Sequence, residues 1–142
     1  MGRVLAIDYG KKRTGIAVTD ILRIIATPLE TVPTYELENF LKAYTASEEV
    51  DEFVIGYPRK LNNLPSEMVS FIEKLKVRLE KLFPGKTVHF VDERFTSSIA
   101  MRSMIDGGMK KKDRAVKGNV DKISASLILQ SYLASVENKK NS

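Results

Sequence analysis

Residues 4–15 read VLAIDYGKKRTG, and this stretch decides the fold. Its first four residues form an unbroken apolar run, which is typical of a strand that is buried on both faces. Asp8 follows that run directly, where an ionised carboxylate is costly unless a positive charge compensates it. The next turn supplies two glycines and the cations Lys11, Lys12 and Arg13. The stretch predicts either a site that holds a metal and a phosphate together or an aspartate that only caps the turn at 9–10.

The composition is that of one globular domain. The chain has 142 residues, of which 43% are hydrophobic and 29% are charged, so we expect a single domain over 1–142 with a frayed polar tail at 137–142. The formal charge of +5 suits a polyanionic partner such as nucleic acid. Segment 110–122 contains six cations and two anions, so its net charge of +4 is most of that excess.

Several classes of chemistry are excluded by the composition. The chain has no cysteine and one histidine, His89, which removes disulfides and thiolate catalysis and makes a Ser-His-Asp triad or a histidine-rich metal site hard to build. Catalysis would therefore depend on carboxylates, lysines or hydroxyls. No apolar run approaches the roughly 20 residues that span a bilayer, and the N-terminus lacks the layout of a signal peptide. We expect a soluble cytoplasmic protein with no membrane partner.

The apolar periodicity predicts the element order βββ-α-β-α-β-α-α. Strands at 3–8, 14–19 and about 23–32 are joined by short links, which favours an antiparallel meander. Two more strands are predicted at 52–56 and 87–91. Helices are predicted from 33–34, from an N-cap at Ser66 to a stop at 84–85, at about 97–106 and at about 119–136. A meander followed by two right-handed crossovers gives an α/β domain, a mixed five-stranded sheet with helices on both faces.

Three acids are predicted to meet at one edge of this sheet. The first, fourth and fifth strands are neighbours, and ligands bind at their carboxyl ends. Asp8 ends the first strand, Glu93 follows the fifth, and Asp121 is predicted in the first turn of the last helix. Because clustered carboxylates repel one another, a pair of Mg²⁺ or Mn²⁺ ions with oxygen ligands would stabilise them and could support phosphodiester hydrolysis.

Each acid also has an ordinary structural interpretation. Glu93 could pair with Arg94 or Lys86 at the surface. Asp121 follows Asn119, a good N-cap, so the helix dipole alone would favour an aspartate there.

Four motifs occur in order over almost the full length of the chain: DYG at 8–10 with KRxGxA at 12–17, GxPR at 56–59, DERxT at 92–96, and Asp121 with ILQxYL at 128–133. Together they resemble the YqgF/RuvX family, which has the RNase H-like fold. The resemblance implies a metal-dependent nuclease with Asp8, Glu93 and Asp121 as its acidic triad. Family members are described as processing the 5′ end of 16S rRNA precursors and as Holliday junction resolvases. Pre-rRNA, branched DNA and the ribosome or its precursor are therefore the implied partners.

The remaining cations are candidates for binding phosphate. An arginine fork can bind phosphate bidentately, and a basic segment can bind the nucleic-acid backbone as a clamp with little sequence readout. Ordinary solvated loops, or an ion pair in the case of Arg94, are the alternatives. Tyr9 and Tyr57 are predicted to pack in the core rather than to stack on bases. The candidate nucleic-acid-binding residues are Lys11, Lys12, Arg13, Arg59, Arg94, Lys110, Lys111, Lys112, Arg114 and Lys117.

Three functions are weighed from the sequence. Hydrolysis of structured nucleic acid ranks first, with precursor rRNA ahead of a DNA junction. A scaffold that binds RNA without cutting it ranks second, although the intact acidic triad argues against it. An ATP-handling fold of the actin type needs a second similar domain, for which 142 residues leave no room. Since no long apolar helix face announces a dimer, a monomer or weak homodimer is expected.

Overall fold

The computed structural model describes residues 2–57, 66–92 and 117–141. Five strands and three α-helices lie in these ranges, with a short 3-10 helix at Thr34–Glu36. The predicted helix at about 97–106 lies outside the described residues. The strands are β1 (Arg3–Asp8), β2 (Arg13–Thr19), β3 (Ala26–Pro33), β4 (Val50–Tyr57) and β5 (Thr87–Asp92), and the helices are α1 (Leu37–Ser47), α2 (Ser66–Leu82) and α3 (Lys117–Asn141).

The strands form one sheet in the order β3-β2-β1-β4-β5. β2 pairs antiparallel with both β1 and β3, whereas β4 pairs parallel with both β1 and β5. The predicted meander and the mixed five-stranded sheet are thus confirmed. β1 is the central strand, and its apolar residues 4–7 are fully buried, as the unbroken apolar run predicted.

Helices cover both faces of the sheet, as predicted. Alternate residues of β1 point to opposite faces, so Leu5 and Ile7 belong to one core and Val4 and Ala6 to the other. The first core also contains Leu41 of α1 and Ile72, Leu75 and Leu79 of α2. The second contains Ala125, Ile128 and Leu129 of α3. The face that carries Val4 and Ala6 is called the α3 face below.

The turn between β2 and β3 is longer than predicted. The predicted strand at about 23–32 begins only at Ala26, because the carboxylate of Asp20 accepts hydrogen bonds from the backbone N–H groups of Leu22, Ile24 and Ile25. Such a capped turn competes with the strand ladder for the same backbone groups. Arg23 adopts a positive φ of 59° within it.

Helix α3 begins two residues before the predicted start and extends past the predicted end, from Lys117 to Asn141. It is the longest helix of the described ranges, and it packs along the sheet from β3 to β5. None of the helices in residues 2–57, 66–92 and 117–141 combines the length and the hydropathy that a membrane span requires.

A cluster of polar side chains joins α3 to the amino end of β4. Glu52 of β4 accepts hydrogen bonds from the hydroxyl of Tyr132 on α3 at 2.8 Å and from the Nη1 of Arg23 at 2.8 Å. The Nε2 of His89 lies 3.0 Å from the same carboxylate, and the His89 ring stacks on Tyr132. His89 therefore has a structural role, as predicted.

Because of this cluster, the free energy of unfolding decreases at alkaline pH. Burial and the hydrogen bond to Glu52 raise the pKa of Tyr132 to about 12. Because this pKa is raised on folding, the stabilisation is complete below about pH 10, the pKa of an unperturbed tyrosine, and is lost as the pH rises toward 12. We expect wild type to be more stable than Tyr132→Phe at pH 8 and the difference to shrink by pH 11.5, as measured by urea unfolding. Tyr35→Phe, at a side chain that is 82% exposed, is the matched control; an unchanged difference for Tyr132→Phe would contradict the expectation.

Candidate active site

Asp8 lies at the carboxyl end of β1 on the α3 face. It follows Val4 and Ala6 at a spacing of two residues, so the strand alternation places all three on the same side of the sheet. Its partner in the antiparallel ladder is Gly15 of β2. Because directly opposed residues share a face, Gly15 also faces α3. The side chain of Asp8 is partly buried there.

Gly15 allows the backbone of α3 to rest directly on the sheet. A Cβ atom at Gly15 would lie 2.1 Å from the carbonyl oxygen of Asp121 and 2.8 Å from the backbone nitrogen of Lys122. Both distances are far below van der Waals contact, so only glycine fits at this position. The close approach carries Asp121 to the strand position opposite Asp8. Two of the three predicted acids, Asp8 and Asp121, are therefore neighbours on the same face of the sheet.

Arg13 pairs with one of these acids. Its Nε lies 3.1 Å from Oδ2 of Asp121, and the side chains of Arg13 and Asp121 are 42% and 26% exposed. Arg13 precedes Gly15 by two residues on β2, which places it on the α3 face as well. The structure thus shows Arg13 orienting the carboxylate of Asp121, whereas its predicted contact with phosphate stays a prediction.

The predicted position of Asp121 in the first turn of α3 is wrong. The helix begins at Lys117, so Asp121 is its fifth residue, and the first turn contains no acid. The favourable effect of the helix dipole is confined to the first turn. The dipole interpretation of Asp121 therefore loses its basis, and the pairing with Arg13 and the contact with Gly15 replace it.

The basic turn after Asp8 is tied to the 3-10 helix. The Thr34 hydroxyl donates a hydrogen bond to the carbonyl of Gly10 at 2.6 Å, and the Thr34 N–H donates to the carbonyl of Lys12 at 3.0 Å. The side chains of Lys11 and Lys12 are exposed on this turn. Positive charge is therefore presented beside Asp8 by a turn whose backbone is fastened.

The other predicted residues fall beyond the described ranges. Lys117 is the first residue of α3, although its side chain is outside the described part. Glu93 follows directly in sequence after β5, which ends at Asp92 and pairs with β4 at the same edge of the sheet. The predicted residues outside the described ranges are Glu93, Arg59, Arg94, Lys110, Lys111, Lys112 and Arg114.

The donor chemistry at this edge suits a hard divalent cation. Within residues 2–57, 66–92 and 117–141, no three acidic, histidine or cysteine side chains are placed so that together they could hold a metal ion. At this edge the described residues supply the carboxylates of Asp8 and Asp121. Both are oxygen donors on one face, and Mg²⁺ and Mn²⁺ prefer such donors. A cation that takes Asp121 as a ligand would compete with Arg13 for its carboxylate.

Two features of the site were not predicted from sequence. The role of Gly15 follows from the packing of α3, although the small residues of KRxGxA at 12–17 signal a close approach on one face of β2. The link between Thr34 and the basic turn joins residues 24 positions apart. It has no local signal, since a threonine before a helix is ordinarily assigned to capping.

The chain is similar to known proteins over nearly its whole length. Residues 2–135 match the family described as "RuvX: Holliday junction resolvase". A relative from Phocaeicola vulgatus is 54% identical over 95% of this chain and 97% of its own length. One from Flavobacterium johnsoniae is 50% identical over 95% of this chain and 98% of its own length. Both carry the name "Putative pre-16S rRNA nuclease".

Proposed function

Because the chain belongs to the RuvX family, we propose that it is a metal-dependent nuclease that hydrolyses phosphodiester bonds in structured RNA, at the 5′ end of 16S rRNA precursors. The observation that carries this proposal is the packing of α3 on Gly15, the ladder partner of Asp8, which brings the backbone of Asp121 close to that of Asp8. The names of the relatives support precursor rRNA as the substrate. The net charge of +5 suits such a polyanion.

Asp8, Asp121 and Glu93 would hold the metal, which we propose to be two Mg²⁺ or Mn²⁺ ions. When bound, such a pair stabilises both the attacking and the leaving oxygen of a phosphodiester. The chain itself positions the ligands: the β1–β2 ladder holds the backbone of Asp8, and the packing of α3 on Gly15 holds that of Asp121. Arg13 orients the carboxylate of Asp121.

Lys11 and Lys12 would bring the substrate phosphates to these acids. Both side chains are exposed on the turn that directly follows β1, and the hydrogen bonds of Thr34 hold that turn in place. Cations on such a turn bind the backbone of a nucleic acid without reading its sequence. Selection of one cleavage position would then come from the shape of the substrate.

Resolution of Holliday junctions is the second candidate, and the description of the matching family favours it. Two symmetric cuts in a four-way junction require two active sites, so this function needs a dimer. A scaffold that binds RNA without cutting it is the third candidate. RNA binding alone does not require Asp8 and Asp121 to lie side by side on one face.

Cleavage of two labelled substrates tests these functions. A 16S precursor 5′ region and a four-way DNA junction are incubated with the protein in Mn²⁺, in Mg²⁺ and in chelator. We expect cuts in the RNA that depend on the metal and cease in chelator. Paired symmetric cuts in the junction, with the RNA intact, would transfer the proposal to resolution. Binding of either substrate without any cut would overturn the nuclease.

A further inference from the structure

A cavity of about 340 Å³ lies at the same edge of the sheet, on the opposite face from Asp8. Tyr9, Thr34, Phe71, Lys74, Glu38 and Arg78 contribute to its walls. Tyr9 directly follows Asp8 and packs with the core under α1 and α2, whereas Asp8 faces α3. The backbone at the end of β1 therefore has the candidate active site on one face of the sheet and the cavity on the other.

The basic turn connects the cavity to the acids. Thr34 lines the cavity and also donates its hydroxyl hydrogen to the carbonyl of Gly10. Gly10 thus contacts a residue of the cavity wall, and the turn at 10–12 that it begins follows Asp8 closely in sequence. A strand of nucleic acid whose phosphates lie on this turn would pass both places.

The walls combine aromatic surface with positive charge. Phe71 of α2 lines the cavity and is 41% exposed, so part of its ring is accessible to a ligand. Tyr9 also lines the cavity, and its side chain is partly buried. Arg78 and Glu38 neutralise each other in an ion pair. Lys74 then gives the cavity a net positive charge.

We propose that this cavity binds one unpaired nucleotide of the substrate, with its base against the Phe71 and Tyr9 rings and its phosphate at Lys74. The proposal rests on the nuclease function above, for which it names the substrate class: nucleic acid with a single-stranded or extruded nucleotide beside the cleavage position. The cavity has the size of a small-ligand site. Stacking accepts any base because every base has a π-face, and a lysine binds any phosphate.

Binding to a short single-stranded RNA in chelator tests the cavity without any cleavage. The RNA carries one 2-aminopurine, whose fluorescence is quenched when it stacks on an aromatic ring. We expect Phe71→Leu to weaken binding about tenfold and to reduce the quenching, while binding to duplex RNA is unchanged. Val77→Ala, at an exposed position on the same helix outside the cavity walls, should bind as wild type does.

A second variant tests the phosphate contact. Lys74→Gln should reduce the slope of log K against log salt by about 0.7, the value for one phosphate on a single strand. A DNA oligomer of the same sequence shows whether the sugar matters. If Phe71→Leu loses the same factor of affinity for DNA as for RNA, the contact is stacking of the base and does not depend on the sugar. The proposal would be overturned if Phe71→Leu bound the RNA and quenched the 2-aminopurine as wild type does. It would also be overturned if the variant bound single-stranded and duplex RNA more weakly by the same factor.

The outcomes separate this proposal from the nuclease function. If wild type cuts neither substrate but its single-strand binding depends on Phe71, the cavity proposal stands and the nuclease proposal fails. If wild type cuts RNA and Phe71→Leu changes neither binding nor quenching, the nuclease proposal stands and the cavity proposal fails. Thermal unfolding of each variant shows whether the comparison is between folded proteins.

Discussion

Asp8→Asn is expected to lower the rate of metal-dependent RNA cleavage by about 10³-fold or more, since loss of a metal ligand removes several kcal/mol of charge stabilisation. Asparagine keeps the size of the side chain and removes its charge. Asp8 ends the central strand on the α3 face, where the packing of α3 on Gly15 also places Asp121. Single-turnover cleavage of the 16S precursor 5′ region in Mn²⁺ measures the effect.

Thermal unfolding distinguishes loss of the metal from loss of the fold. Without metal, the melting temperatures of wild type and Asp8→Asn show whether the variant retains the fold. With Mn²⁺, wild type should be stabilised by mass action and the variant much less. Glu80→Gln neutralises an exposed carboxylate on α2 and should leave cleavage unchanged. Cleavage by Asp8→Asn at the wild-type rate would remove Asp8 from the catalytic set.

Gly15→Ala is expected to lower both stability and activity, although it adds a single methyl group. The new Cβ would lie 2.1 Å from the carbonyl oxygen of Asp121. That oxygen belongs to helix backbone, which cannot rotate away as a side chain can, so α3 must shift as a unit. Overpacking of this kind costs about 3 kcal/mol, which corresponds to a fall in Tm on the order of 10 °C for a domain of this size.

The shift also displaces Asp121 from its place opposite Asp8. A misplacement of about 1 Å can cost on the order of 10²-fold in rate, so cleavage measured well below the Tm of the variant should still be strongly reduced. Gly2→Ala is the comparison: its Cβ would meet the carboxylate of Asp51 at 2.7 Å, which is a side chain and not helix backbone, so Gly2→Ala should lower the Tm less than Gly15→Ala and leave the rate of cleavage unchanged. A Gly15→Ala variant with the wild-type Tm and rate of cleavage would show that neither the fold nor the site depends on this close approach of α3.

Much of the fold could be predicted because its signals are local. The unbroken apolar run at 4–7 identifies a central strand, and that strand is fully buried in the structure. Helical spacing identifies α2, which begins at Ser66, the residue predicted to be its N-cap. The start of β3 could not be predicted from the apolar residues, because the carboxylate of Asp20 holds the next five residues in a turn through its hydrogen bonds to the backbone.

The sequence by itself determined where the strands lie along the chain and that Asp8 ends the first of them. Strand periodicity and turn chemistry act between near neighbours in the chain. Only the tertiary structure decided that Asp121 pairs with Arg13, that α3 rests on Gly15, and that Phe71 shares a cavity with Tyr9. These contacts join residues distant in sequence. They depend on the register of the ladder and on how closely a helix can approach the sheet, and no local pattern encodes that approach.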